Sequence, residues 1–152
     1  MNFKMMGRFL AQILFLEGIL MLPPLGISLY CGESAAVNGF LISVAVAAAV
    51  SAVLFRLCRG APSAFYAKEG FVCVAASWIG LSLVGCLPFW LSGEIPHFVD
   101  AFFEIVSGFT TTGASIVPAV ETLSKGILYW RSFSHWVGGM GVLVFLLAIV
   151  PS

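Results

Sequence analysis

Apolar residues run along this chain in long uninterrupted blocks, and polar residues gather in the gaps between them. Three blocks, roughly Phe9–Tyr30, Val37–Phe55 and Phe71–Leu91, reach the ~20 residues a helix needs to cross a bilayer core. A fourth, about Ile127–Val150, qualifies with Arg131 and His135 near one end. Between the third and fourth, Glu94–Ser124 is apolar in part but broken by Pro96, Gly108, Gly113 and Pro118. That interruption predicts a reentrant segment over about 96–118, which enters the membrane and returns to the same side. Pro23 and Pro24 predict a kink or break in the first helix, because neither can donate a backbone hydrogen bond. The pattern therefore predicts an all-α membrane protein, with four transmembrane helices plus a reentrant pore helix and filter loop.

Composition agrees. The chain is 61% hydrophobic and 9% charged, with a mean hydropathy of +1.08, whereas a soluble domain is about half apolar and a quarter charged. Net charge is zero and no basic run exists, which argues against nucleic acid as a partner. Cys31, Cys58, Cys73 and Cys86 show no metal-ligand spacing, and inert small apolar packing is the expected role for them. His97 and His135 are isolated, so no metal site and no cofactor are expected. A membrane enzyme using these histidines or the acids is the reading from another class. It lacks a nucleophile–base pair, a phosphate loop or a metal cluster at workable spacing, so a non-enzyme is expected.

Loop charges orient the chain. Lys4 and Arg8 precede the first helix, and Arg56, Arg59 and Lys68 lie between the second and third. The opposite loops hold Glu33, Glu94, Asp100 and Glu121, with Lys125 and Arg131 as cations. Both ends are expected on the cytoplasmic side, with the reentrant segment entering from outside. A cleaved signal peptide is the competing reading of the first block, but Glu17 inside it and the want of an A-x-A site oppose that.

The reentrant segment carries the chemistry. Asp100 is placed to cap a short helix over about Val99–Phe109, with Glu104 in its first turn, where carboxylates complement the positive helix end. At 1.5 Å per residue that helix is on the order of 16 Å long, half of a hydrocarbon core of about 30 Å. Its negative end then lies at the membrane midplane and favours a cation. Thr110, Thr111, Thr112 and Gly113 follow at once. In an extended strand successive carbonyls alternate in direction, so lining one axis requires residues at positive φ. Glycine tolerates that and β-branched residues resist it, which makes Gly113 the expected flip. A threonine hydroxyl can join the coordination or brace the strand from behind. On these residues alone a short extracellular helix followed by a polar turn stays open.

The stretch from Asp100 to Ser115 (DAFFEIVSGFTTTGAS) resembles the first pore loop of the Trk/Ktr/HKT superfamily of potassium transporters. The stretch from Trp130 to Val144 (WRSFSHWVGGMGVLV), with the closing Ala148 to Pro151 (AIVP), is similar to the following helix of its bacterial TrkH branch. Residues 1–59 fit the extra N-terminal transmembrane hairpin of that branch, and 68–152 its first membrane–pore–membrane repeat. The resemblance implies four such repeats around one ion path, with Thr110, Thr111, Thr112 and Gly113 as the K⁺ filter and the carbonyls of Thr111 and Thr112 as direct ligands. It also implies a homodimer, a cytosolic nucleotide-binding regulatory subunit, and residence in the bacterial inner membrane. One repeat cannot enclose an ion. The chain is therefore expected to be the N-terminal fragment of a four-repeat transporter; the alternative is a short subunit of a homotetrameric cation channel. With one glycine in the filter, modest selectivity is expected.

Other residues have two readings. Gly138, Gly139 and Gly141 permit close helix packing, or a gating bend. Arg131 either snorkels to the interface or pairs with Glu104 or Asp100 to hold the pore helix. Glu17, deep in the first helix, is expected to serve packing. Trp78, Trp90, Trp130 and Trp136 are expected mostly as interface anchors.

Overall fold

One proline pair, Pro23 and Pro24, and the single Pro88 set the bends of this chain. The computed structural model describes residues 2–61 and 67–149; Val150, the end of the expected fourth span, and Pro151 and Ser152, the end of the expected repeat, lie outside them. All regular structure among the described residues is helical: α1 (Phe3–Leu20), α2 (Leu22–Tyr30), α3 (Ser34–Leu57), α4 (Ala67–Gly85), α5 (Leu87–Leu91), α6 (Phe98–Phe109), a 3₁₀ turn at Val120–Thr122 and α7 (Lys125–Ile149). Three continuous helical stretches, Phe3–Tyr30, Ser34–Leu57 and Lys68–Leu91, are long and apolar enough to cross a membrane. α7, at 25 residues, has the length to do so.

The first stretch breaks at Met21, with Pro23 and Pro24 in the opening turn of α2. Proline is tolerated there because a helix's first N–H groups have no internal partner. Pro88 does the same to the third stretch, dividing α4 from α5. The first span also begins earlier than its apolar block suggests. Asn2 caps α1 by accepting from the Met5 N–H, and its own N–H donates to Glu69 at 2.7 Å.

In lipid the apolar effect does not drive helices together, so close contact and hydrogen bonds must. α1 and α3 meet on small residues: Ser51 donates to the Ala11 carbonyl at 2.7 Å, and Gly18 lies against Ala47. Ser43 and Ser77 satisfy their hydroxyls on carbonyls four residues back, so neither hydroxyl faces apolar surroundings unpaired. The largest buried apolar side chains among the described residues, Trp130, Phe40, Phe89, Phe109, Met21, Ile105 and Ile127, join the hairpin, the α4–α5 bend, α6 and α7 into one core.

The N-terminus of α7 is held by carboxylates from far along the chain. Glu33 accepts from the Lys125 and Gly126 N–H groups at 2.7 and 3.2 Å, and Glu94 from the Ser124 N–H and hydroxyl at 2.8 and 2.9 Å. Three orphan N–H groups and the Ser124 hydroxyl are thereby satisfied where the dipole favours negative charge.

Candidate ion-filter loop

α6 is a 12-residue helix, about 18 Å long at 1.5 Å per residue, and it ends among aromatic rings. Phe109, 1% exposed, lies edge-on to Trp130 (centroids 6.5 Å) and tilted against Trp78 (6.2 Å). Trp130 is fully buried and donates its indole N–H to the Gly85 carbonyl at 2.9 Å. Its expected interface role is thus corrected: it closes the bend that Pro88 opens. On the other side α7 crosses the helix end at Gly138, where a Cβ would fall on the Phe109 carbonyl. The approach of backbone to backbone there is possible only without a side chain. Gly139 and Gly141 meet only ordinary contacts, with Thr111 at 3.9 Å and Trp78 at 3.5 Å.

The handover from α6 differs from an extended strand. Thr111 N–H donates to the Gly108 carbonyl and Thr112 N–H to the Ser107 carbonyl, both at 2.9 Å. This is the Schellman termination of a helix, in which the residue after the C-cap turns left-handed and is usually glycine. Here that residue is Thr111, at φ +57°. Gly113, the residue expected to flip, also sits at positive φ, +78°. Among the described residues Thr111 alone combines a side chain with positive φ. For a β-branched residue this is a strained state, costing on the order of 1–3 kcal/mol, that persists only where surroundings impose it.

Those surroundings are hydrogen bonds. Thr111 donates its hydroxyl to the Thr110 carbonyl at 2.7 Å. The Thr110 hydroxyl, bonded to the Val106 carbonyl, shares a 2.8 Å bond with that of Thr112. Ser107 donates to the Ala114 carbonyl at 2.5 Å. Among the described residues, no donor reaches the carbonyls of Thr111, Thr112 or Gly113. The residues from Thr110 to Ile116 are all exposed on this chain's surface.

Glu104 holds the returning half of the loop. It is 1% exposed and lies in the middle of α6, not in its first turn as its place in the sequence suggests. Its carboxylate accepts from the Ser115 hydroxyl at 2.9 Å, the Ile116 N–H at 3.0 Å and Arg131 Nε at 2.5 Å. Arg131 thus pairs with Glu104, and Asp100 takes no part in the pair. Nor does Asp100 cap the helix. His97 is the N-cap and makes no side-chain cap bond, while Asp100 lies half-buried in the first turn. Ser107, Ser115, Phe109 and Trp130 support this loop and were not legible as such: hydroxyls and rings are common in apolar helices, and nothing local marks a bracing one.

The described residues hold no cluster of histidines, cysteines or carboxylates able to bind a metal. What the structure defines is a multi-pass helical membrane protein, with a half-length helix that ends in a strained, carbonyl-bearing turn. The sequence profile of the TrkH cation transport proteins matches residues 36–152, and the chain belongs to that family. It is 33% identical to the Trk system potassium uptake protein TrkH of Halomonas elongata over 153 aligned residues, covering 100% of this chain and 32% of that protein. It is 35% identical to Escherichia coli TrkH, over 99% of this chain and 31% of that one. An uncharacterised cation transporter of Methanocaldococcus jannaschii is 38% identical over 89% of this chain and 28% of its own length. The crystal structure of the potassium transporter TrkH from Vibrio parahaemolyticus superposes with a TM-score of 0.91 at 33% identity, covering 100% of this chain and 32% of that chain. The chain thus spans about a third of the length of the relatives it matches.

Proposed function

We propose that this chain forms one wall of a potassium-selective path, in which the Thr111, Thr112 and Gly113 carbonyls replace part of the water shell of an entering K⁺. The observation that carries the reading is the backbone of the tetrapeptide. φ is negative at Thr110 (−83°), +57° at Thr111, not positive at Thr112 and +78° at Gly113. Alternation of hand lets successive carbonyls face one side, which an ordinary strand forbids, and carbonyl rings of this kind are how filters bind cations. The negative end of α6 adds to the attraction. Relatives named as potassium uptake proteins support K⁺ as the ion.

One loop supplies only some of the oxygens a dehydrated ion needs. The rest are proposed to come from further loops of the complete protein, whose partners would be a second copy and a cytosolic nucleotide-binding subunit. We place the hairpin and pore loop in the bacterial inner membrane with both ends of the chain cytoplasmic, on the strength of the Lys4, Arg8, Arg56, Arg59 and Lys68 distribution. The test is Gly113→Ser in the complete protein, expressed in a cell unable to take up potassium. Loss of growth rescue with intact membrane insertion is the expected result; undiminished K⁺ uptake would remove the loop from the path.

A further inference from the structure

The outer face of the hairpin carries a furrow that ion permeation does not use. Between α1 and α3 lies a groove of about 400 Å³. It is continued toward the α1–α2 break by a shallower one of about 90 Å³ that shares Phe15 and Ala48 with it. The floor is small because Ser51 and Ala11 are hydrogen-bonded there, drawing the helices together. Phe15 and Phe55, 56% and 45% exposed, form the walls.

The furrow is apolar along its length and polar at one end. It runs from Ala11 on α1 to Leu22 at the start of α2, eleven residue steps or about 16 Å of helix. That is half of a hydrocarbon core of about 30 Å, the depth of one leaflet. Arg56 closes the polar end, and Arg8 lies next to it, its guanidinium 5.3 Å above the Phe55 ring. Among the described residues neither guanidinium has a carboxylate partner, and no acid lines the furrow.

We propose that this furrow is a binding site for one anionic phospholipid of the cytoplasmic leaflet. An acyl chain lies along the small-residue floor, and the phosphate is held by Arg56 and Arg8. Length, polarity gradient and charge all select that occupant: a zwitterionic lipid fits the floor but gains less from two unpaired cations. The choice of leaflet rests on the orientation proposed above, while the lipid measurement is independent of ion flux.

Native mass spectrometry of the purified full-length protein in detergent, titrated with phosphatidylglycerol or phosphatidylcholine, decides it. The expected result is a bound phosphatidylglycerol retained more tightly than phosphatidylcholine. Arg56→Gln should weaken phosphatidylglycerol by about fivefold, one cation's attraction to an anionic headgroup, and leave phosphatidylcholine unchanged. Ala48→Trp, which fills the floor, should weaken both. Equal retention of the two lipids, untouched by Arg56→Gln, would overturn the proposal even if Ala48→Trp fails to fold. So would an Ala48→Trp protein that dissociates into monomers with unchanged lipid content, which would assign the furrow to a second copy.

Discussion

Glu104 and Arg131 form an ion pair between the middle of α6 and the second turn of α7, and the same carboxylate accepts from Ser115 and Ile116 of the returning loop. One buried carboxylate therefore fixes three pieces of chain around the candidate filter. Removing its cation leaves a desolvated charge, and breaking such pairs costs about 3–5 kcal/mol. Arg131→Ala should lower the melting temperature of the detergent-purified protein and its yield in the membrane. Changing Glu104→Gln as well should recover part of the loss, because no buried charge is then stranded. A single variant as stable as the parent would show that the pair holds nothing.

Gly138 and Gly139 should separate sharply. A methyl group at Gly138 meets the Phe109 carbonyl, while at Gly139 the nearest atom is 3.9 Å away. Overpacking of this kind costs about 1–3 kcal/mol. Gly138→Ala should displace the helix end and reduce K⁺ uptake along with thermal stability, and Gly139→Ala should be close to neutral in both. Uptake assays and melting curves on the two variants check this.

The break at Pro23 and Pro24 and the half-length helix were readable from the chain, because unbroken apolar length and proline position act locally; the bend at Pro88 went unread inside a long apolar block. The strain at Thr111 was not readable either. Its β-branched side chain argues against positive φ, and the bonds from Thr111 to Gly108 and from Thr112 to Ser107, with the hydroxyl bonds around them, impose it. Glu104 was placed in the first turn, and its pairing with Arg131, 27 residues away, stood as one of two readings of that arginine until the structure supplied the contact. Glu33, which caps α7 across 92 residues, carries no local mark of that task. Trp130 looked like an interface anchor until the bend at Pro88 supplied a carbonyl for its indole.

Thr111 offers a test of the strain itself. At φ +57° any side chain is disfavoured by about 1–2 kcal/mol relative to glycine. Thr111→Gly should therefore be more stable than Thr111→Ala by about that amount, although both lose the hydroxyl bond to Thr110. Both should discriminate K⁺ from Na⁺ less well than the parent. Melting temperatures give the first comparison, and uptake of each ion by the complete protein gives the second.

Trp130→Phe keeps the ring against Phe109 and removes the N–H that serves the Gly85 carbonyl. An unsatisfied buried acceptor costs about 1–3 kcal/mol. Reduced thermal stability with K⁺ selectivity retained is the expected outcome of melting and flux assays.

The most direct test of the central claim is crystallographic. Rb⁺, an electron-rich substitute for K⁺, should be soaked into crystals of the complete protein and located by anomalous diffraction. The account predicts a peak in contact with the Thr111, Thr112 or Gly113 carbonyl. A well-ordered loop without such a peak, and ions found only elsewhere along the protein, would contradict it.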